Sequence, residues 1–160
     1  MTCSVRPMTD FEISRARLED VPELVRLLGA SVPDCSPQTV WELPWMWHHY
    51  HVARSADGEI VGAASIQPAG RARAEVRGLT VAPSWRGRGV ARALLGRLIE
   101  RAERSGADLV CMTRSPELFL KFGFLETAPH WTDPRRRPCG PAEKPDSPRI
   151  AMSRHAETSS

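Results

Sequence analysis

The sequence predicts an α/β domain built on one sheet of mixed strand direction, and three observations lead there. Alternating and amphipathic segments follow in the order strand, helices, three strands, helix, strand, helix, strands along 160 residues, a length suited to one domain with a substantial core. Asp57-Gly58 between two apolar runs is a strong hairpin signal. Val90, Ala93, Leu94, Leu98 and Ala102 recur at helical spacing and mark the clearest amphipathic helix, Val90 to Ser105.

Element by element, residues 1–10 read as an N-terminal extension and Phe11–Arg17 as a short alternating strand. Asp20 is placed as the N-cap of a helix with Pro22 in its first turn and Val21, Leu24, Val25, Leu27 and Leu28 on its apolar face, ending near Gly29. A turn-rich break covers 31–37. Gln38 to His49 is Trp-rich and left unassigned, because Pro44 interrupts a helix there. His51–Arg54 and Ile60–Gln67 pair as a hairpin, and Ala74–Val81 forms the next strand. After the 90–105 helix, Gly106 stops the chain as a left-handed cap. Ala107–Thr113 is a strand, Pro116–Phe122 a short helix, Phe124–Thr127 a strand. Residues 128–149 form a long Pro-rich basic loop, Arg149–Ser153 a last strand, and 154–160 a disordered tail.

Composition removes several function classes. No apolar run approaches the roughly 18 residues of a membrane span, and the first residues resemble no secretory signal, so a cytoplasmic location is expected. Cys3, Cys35, Cys111 and Cys139 show no C-x-x-C pair, so neither a metal site nor a disulfide framework is expected. Cys111 lies in an apolar run and reads as a small buried hydrophobe. Charge is unevenly spread. Residues 71–104 hold nine Arg against three Glu, a balance of +6, while 12–59 hold eight acids against four Arg, a balance of −4. The middle of the chain therefore suits an anion and the first third a cation. Nucleic acid is not the expected anion. The arginines of 90–104 fall on the solvated face of an amphipathic helix and carry no interleaved aromatics.

The chemistry concentrates in Leu79-Thr-Val-Ala-Pro-Ser-Trp-Arg-Gly-Arg-Gly-Val-Ala-Arg. A strand runs into a two-glycine loop, and the loop runs directly into a helix. The first N–H groups of a helix lack partners, and the macrodipole adds positive charge there. Gly87 and Gly89 let phosphate oxygens approach that backbone, and Arg86 and Arg88 add charged donors. The result is an anion cradle matched to a diphosphate. The spacing fits neither G-x-x-x-x-G-K-[ST] nor G-x-G-x-x-G.

Arg86-x-x-Gly89-x-Ala91 matches [QR]-x-x-G-x-[GA], the signature of the GNAT acetyltransferases, and the chain resembles that family over roughly 11–127. Val76-Arg-Gly-Leu-Thr-Val-Ala-Pro is similar to the strand preceding the motif. Leu120-Lys-Phe-Gly-Phe-Leu is similar to the junction of last helix and next strand, and Arg15-Ala-Arg-Leu-Glu-Asp-Val-Pro-Glu-Leu to the opening strand and helix. The resemblance implies a mostly antiparallel sheet with helices on both faces, splayed at the acetyl-CoA site between the parallel strands Ala74–Val81 and Ala107–Thr113. It implies that Leu79, Thr80 and Val81 meet the pantetheine arm and that Arg86, Gly87, Arg88, Gly89, Val90 and Ala91 hold the diphosphate. Ser115 and Phe119 would lie along the far side of the cofactor. The family's Tyr acid has no counterpart, since Tyr50 is the only tyrosine. That leaves Ser115, a water, or no acid at all in that role. Glu75, on the strand entering the motif, is the first candidate base, its alternative being a surface partner of Arg73 or Arg77. His48, His49 and His51 are its rivals.

Trp41-Glu-Leu-Pro-Trp-Met-Trp-His-His-Tyr falls where the family builds its acceptor pocket. Trp41, Glu42, Trp45, His48 and His49 are the expected substrate contacts: flat aromatic faces and a carboxylate suit an aminated sugar. The alternative is a helix capping the core. With the acidic balance of 12–59, the leading expectation is transfer of an acetyl group to a primary amine of a small molecule such as an aminoglycoside antibiotic, a resistance activity. Two other readings stand beside it. One is an amino-acid acetyltransferase similar to short N-acetylglutamate synthases, with Arg15, Arg17 or Arg71 serving the carboxylates. The other is a non-catalytic coenzyme A sensor. No metal, membrane or nucleic-acid partner is expected, and a homodimer is left open.

Overall fold

The structure is a computed structural model that describes residues 10–30, 37–113, 115–127 and 150–156, with the backbone course alone for 37–41 and 150. The expected Pro-rich loop 128–149, and the N-terminal extension before residue 10, lie outside the described residues. Strands β1 (Phe11–Arg15), β2 (Tyr50–Ser55), β3 (Ile60–Pro68), β4 (Arg73–Val81), β5 (Asp108–Thr113), β6 (Leu125–Glu126) and β7 (Ile150–Arg154) accompany helices α1 (Val21–Ala30), α2 (Pro37–Met46), α3 (Val90–Ser105) and α4 (Pro116–Leu120). The strands form one seven-stranded sheet in the order β1-β2-β3-β4-β5-β7-β6.

Local chemistry sets most of this order. Asp57-Gly58 turns β2 back onto β3, with Gly58 at φ 85 and Ser55 N–H donating to Glu59 O at 2.8 Å. The α3 crossover makes β4 and β5 parallel, whereas the other neighbours are antiparallel. Ile60 through Gln67 of β3 are all buried, because both faces of this strand are covered. On one face Val90, Leu94, Leu95 and Leu98 of α3 pack over Val61, Ala64 and Ile66. On the other, Leu24 and Leu28 of α1 and Leu43 of α2 pack over Tyr50, Val52 and Ala63. Each fully buried Leu contributes about 2 kcal/mol by removal from water. Gly62 lets α3 sit close: a Cβ there would stand 2.6 Å from Val90 Cγ1.

Four expectations are corrected in detail. The first strand ends at Arg15, and Leu18–Asp20 form a 3-10 turn before α1. Asp20 is therefore not the helix N-cap; its buried carboxylate accepts from Arg17 N–H at 2.8 Å and from Arg54 Nη2 at 2.7 Å, tying the turn to β2. The unassigned Trp-rich stretch is helical through Met46 despite Pro44, then tightens into a 3-10 turn at Trp47–His49. Pro44 sits in the last turn, and the missing N–H and ring clash precede the end of regular helix by two residues. Finally, the tail expected to be disordered from residue 154 is partly held: Arg154 completes β7, and Ala156 N–H donates to Asp108 Oδ1 at 2.8 Å.

Candidate active site

The ladder between β4 and β5 runs from Arg73 opposite Asp108 to Val76 opposite Cys111 and stops. Beyond it β4 continues to Val81 along β3, and β5 continues to Thr113 along β7. The two parallel strands therefore diverge. The local cause is a bulge in β4. Ala63 faces Thr80 and Ser65 faces Arg77, so β4 carries one residue more than β3 across this stretch. Gly78 takes the left-handed conformation there, φ 62. An extra residue bends its strand and increases local twist, which turns β4 from Arg77 onward away from β5. Gly78 is absent from the residues expected to matter, although an isolated glycine inside a strand pattern is the usual signal of a bulge.

The bulge also reverses side-chain parity. Before it Ala74 and Val76 pack under α3; after it Leu79 and Val81 pack there, as partners of the same core. Leu79 and Val81 thus anchor with their side chains, and the edge of β4 facing the opening has no ladder partner among the described strands. Thr80 points to the other face and is buried.

At the end of β4, Ala82 N–H donates to Val61 O at 2.8 Å, and Pro83–Trp85 form a 3-10 turn into the glycine loop. Gly87 and Gly89 adopt φ 76 and φ 82, and a Cβ at either would meet nothing within 4 Å. Glycine is required there by backbone conformation rather than by crowding, and the space over the loop is open. Gly89 is the N-cap of α3 without a side-chain cap, and the first turn carries no acid. The N–H groups of Val90, Ala91 and Arg92 are those a helix leaves without internal partners. Open room, unpartnered donors and positive helix end fit a diphosphate. The arginines flank this cradle: Arg86 Nε donates to Val81 O at 3.4 Å, and the Arg88 guanidinium stacks 4.6 Å above the Trp85 ring. Both are exposed.

On the α1/α2 face lies a polar network that sequence spacing did not predict. Ser65 Oγ donates to Arg77 O at 3.0 Å, and Gln67 Nε2 donates to Ser65 Oγ at 3.4 Å. The Arg77 guanidinium donates to Gln67 Oε1 at 3.3 Å and pairs with Glu42 of α2 at 3.4 Å. Arg77 is 13% exposed, and Ser65 and Gln67 are buried. Glu75 stands opposite Gln67 on β3 and Val110 on β5, on the same face as Arg77 and one residue before the split. Ser115 lies past the free end of β5. Its N–H donates to Thr113 Oγ1 at 2.9 Å, its side chain makes no cap bond to α4, and it is exposed.

The remaining expected residues differ in what their side chains offer. Phe119 is 5% exposed and packs edge-on against Phe124, ring centroids 5.2 Å apart, so it is core. Val90 is buried over Gly62 and offers only its backbone; Ala91 is half-buried beside it. Trp45 is 74% exposed, and Trp41 lies on α2 with its side chain outside the described set. His48 and His49 occupy the turn into β2, two strands from the opening, with ring centroids 4.1 Å apart. Burial first, then the charges of His48, Arg101 and Arg15, lower the His49 pKa. Tyr50 is buried under α1 and α2, leaving the helix-α4 region without a tyrosine. Burial, with Glu75 second, pushes the Cys111 thiol up to about 12, which keeps it a protonated, inert hydrophobe as its sequence context implied.

A mixed sheet split between two parallel strands, with an open glycine loop and helix start at the mouth of the split that fit a diphosphate, is the arrangement of an acyltransferase that takes its donor along an unpaired strand edge. The profile of the acetyltransferase (GNAT) family matches residues 21–124, and the chain belongs to that family. It is an N-acetyltransferase whose acyl donor is acetyl-CoA. Among solved structures it is similar to Rv2747 from Mycobacterium tuberculosis in complex with CoA and NLQ, at 25% identity and TM-score 0.69, covering 73% of each chain. It is similar in fold to N-acetylglutamate synthase from Neisseria gonorrhoeae complexed with coenzyme A and N-acetyl-glutamate, at 18% identity and TM-score 0.75. That match covers 91% of this chain but 35% of the other. It is also similar in fold to the ribosomal-protein-S18-alanine N-acetyltransferase from Escherichia coli, at 21% identity and TM-score 0.70, covering 94% and 96%. No helix among the described residues is long and apolar enough to cross a membrane.

Proposed function

We propose that the acceptor is a small amine that also carries a carboxylate, of the amino-acid type, rather than the aminoglycoside that sequence composition favours. One observation carries this: Arg77, largely buried, sits at the start of the split on the same strand face as Glu75, backed by Gln67 and Ser65. A carboxylate entering from the α2 side competes with Glu42 for a guanidinium already oriented for it. The aminoglycoside reading rests on the acids of 12–59, and several of these are engaged elsewhere. Glu42 pairs with Arg77, Asp20 with Arg54, and Glu23 accepts from Ile60 N–H at 3.1 Å. The exposed Trp45 supports the sugar reading and keeps it as the second one. The Neisseria neighbour, solved with N-acetyl-glutamate, supports the first.

In this reading acetyl-CoA supplies the activated acyl group as a thioester. Glycine-loop and α3 N–H groups hold the diphosphate, with Arg86 and Arg88 closing over it. Arg77 orients the acceptor, and Glu75 takes the ammonium proton, directly or through one water. Ser115 Oγ, free of any capping bond, holds a proton at the far end of the opening.

The test is thiol release from acetyl-CoA with acidic and neutral amino acids, aminoglycosides and polyamines as acceptors. Turnover with an amino acid is expected, and Arg77→Gln raises its KM by roughly ten- to a hundredfold, the worth of a charged hydrogen-bond pair, with the donor KM unchanged. Turnover of an aminoglycoside alone, indifferent to Arg77→Gln, would overturn the proposal. Coenzyme A binding without turnover on any acceptor would favour the sensor reading.

A further inference from the structure

A second concentration of positive charge lies on the α3 face of the sheet at the β1–β2 edge, apart from the β4–β5 opening. Arg15 and His51 are directly opposite each other in the β1–β2 ladder, which puts their Cβ atoms about 5 Å apart on one face. That face is the one under α3, since Ile13 and Ala53, two residues from each, pack in its core. Arg97 and Arg101 occupy successive turns of α3 and so share a side of the helix. Their charges, with that of Arg15, bear on the His51 ring. His49, two residues before His51, also feels the charges of Arg101 and Arg15.

Nothing among the described residues neutralises this group. Arg15, Arg97 and Arg101 make no ion pair with a described carboxylate, and Glu103 of the same helix is taken by Arg154 at 2.9 Å. Arg101 is itself disfavoured as a cation, first by burial and then by Arg15. A separate observation points to a missing ligand. His51 is 5% exposed, and its Nδ1 has no hydrogen-bond partner. Buried polar atoms are ordinarily satisfied, and the exposed Arg15 and Arg97 with the half-buried Arg101 put one sign of charge around this buried ring.

We propose that this cluster binds a small oxyanion, a phosphate or carboxylate group, with Arg15, Arg97 and Arg101 as its charged donors and His51 as the buried donor beneath them. The site is independent of the diphosphate cradle at the other end of α3.

The experiment holds the cradle filled with saturating CoA, in a buffer without oxyanions, and titrates inorganic phosphate in one arm and succinate in another. Chloride at matched ionic strength is the control. Melting temperature and the His51 ring resonances are followed in the wild type, in Arg86→Ala/Arg88→Ala and in Arg15→Gln/Arg101→Gln. A saturable resonance shift is expected, with a rise of roughly 3–5 °C at about ten times Kd, in the first two proteins and not the third. The preferred arm identifies the ligand as phosphoryl or carboxylate. Without anion, Arg15→Gln/Arg101→Gln melts no lower than the wild type, because it relieves like-charge repulsion. No saturable change in either arm, the same change in that variant, or a lower melt of that variant without anion overturns the proposal.

Discussion

Gly62→Ala is the sharpest perturbation the fold offers, because it links α3 packing to donor binding. An added Cβ stands 2.6 Å from Val90 Cγ1, 3.1 Å from Leu94 Cδ1 and 3.3 Å from Thr80 O. Carbon pairs are comfortable at about 3.5–4.0 Å, so the shortfall against Val90 is close to 1 Å. Val90 cannot rotate away cheaply. It is β-branched, 1% exposed, and held by Leu94 at 0%. The start of α3 must therefore lift from β3. Overpacking of this kind costs about 1–3 kcal/mol, or roughly 3–10 °C in melting temperature for a domain of this size. The displaced turn is the one whose N–H groups are proposed to hold the diphosphate, so the KM for acetyl-CoA rises severalfold while acceptor KM at saturating donor holds. Thermal melts and donor-titrated thiol release read both effects. Adding Val90→Ala removes the clashing methyl, and the double variant should be less destabilised than the two single losses added together. Wild-type melting and donor KM in Gly62→Ala, or strict additivity in the double variant, would refute the reasoning.

Three further outcomes are expected. Arg86→Ala/Arg88→Ala leaves melting temperature unchanged, since both side chains are exposed, and raises donor KM by about tenfold or more; an unchanged donor KM would remove them from the cradle. Glu75→Gln lowers kcat by roughly 10²–10⁴ and flattens the acid limb of the pH–rate profile, whereas a kcat within twofold of wild type, with folding intact, would assign the base elsewhere. His51, pushed down to about 4 first by burial and then by Arg101, Arg15 and Arg97, takes a proton more readily unfolded than folded. Stability is therefore complete above about pH 6.5 and falls toward pH 4, by at most roughly 3 kcal/mol. Asp20 has the opposite origin. Burial works to raise its pKa, but the bonds from Arg54 and the Arg17 amide outweigh that and depress it, so its contribution persists above its ordinary value of 3.8 and is lost only below it. Urea melts from pH 7 to 4 on wild type and His51→Gln separate the two windows; equal slopes above pH 4 would exclude His51.

The sequence made periodic and local features legible and hid the long-range pairings. The faces of α1 and α3 were readable because burial imposes a 3.6-residue spacing on one helix irrespective of its partner. The Asp57-Gly58 hairpin and the Gly106 stop, at φ 67, were readable because backbone conformation selects the residue. Glu42 and Arg77 are 35 positions apart, and Asp20 and Arg54 are 34. No spacing rule reaches that far, so Glu42 reads as a waiting carboxylate and Asp20 as a cap. Phe119 shows a related limit: a motif names the segment, while the side chain that fills the core is chosen by what stands opposite, here Phe124. The three neighbouring histidines suggested a site by composition, but β3 stands between β2 and β4, and their turn delivers them to the far side of the sheet.

Gly78 unites the fold with the chemistry. Were β4 regular, Arg77 would keep its orientation but Leu79 and Val81 would face α1 and α2, and Thr80 would be forced under α3. The extra residue corrects the parity, so that two apolar side chains meet the α3 core and Thr80 stays on the polar side with Arg77. The same kink that restores packing also ends the β4–β5 ladder at Val76, freeing the strand edge along which an acyl donor can lie. The cost of an interrupted sheet is thus offset by burial of Leu79 and Val81 within the same five residues, so the opening does not depend on a ligand to hold it apart. A glycine at φ 62 is compatible with both demands at once, whereas a β-branched residue typical of strands resists that conformation.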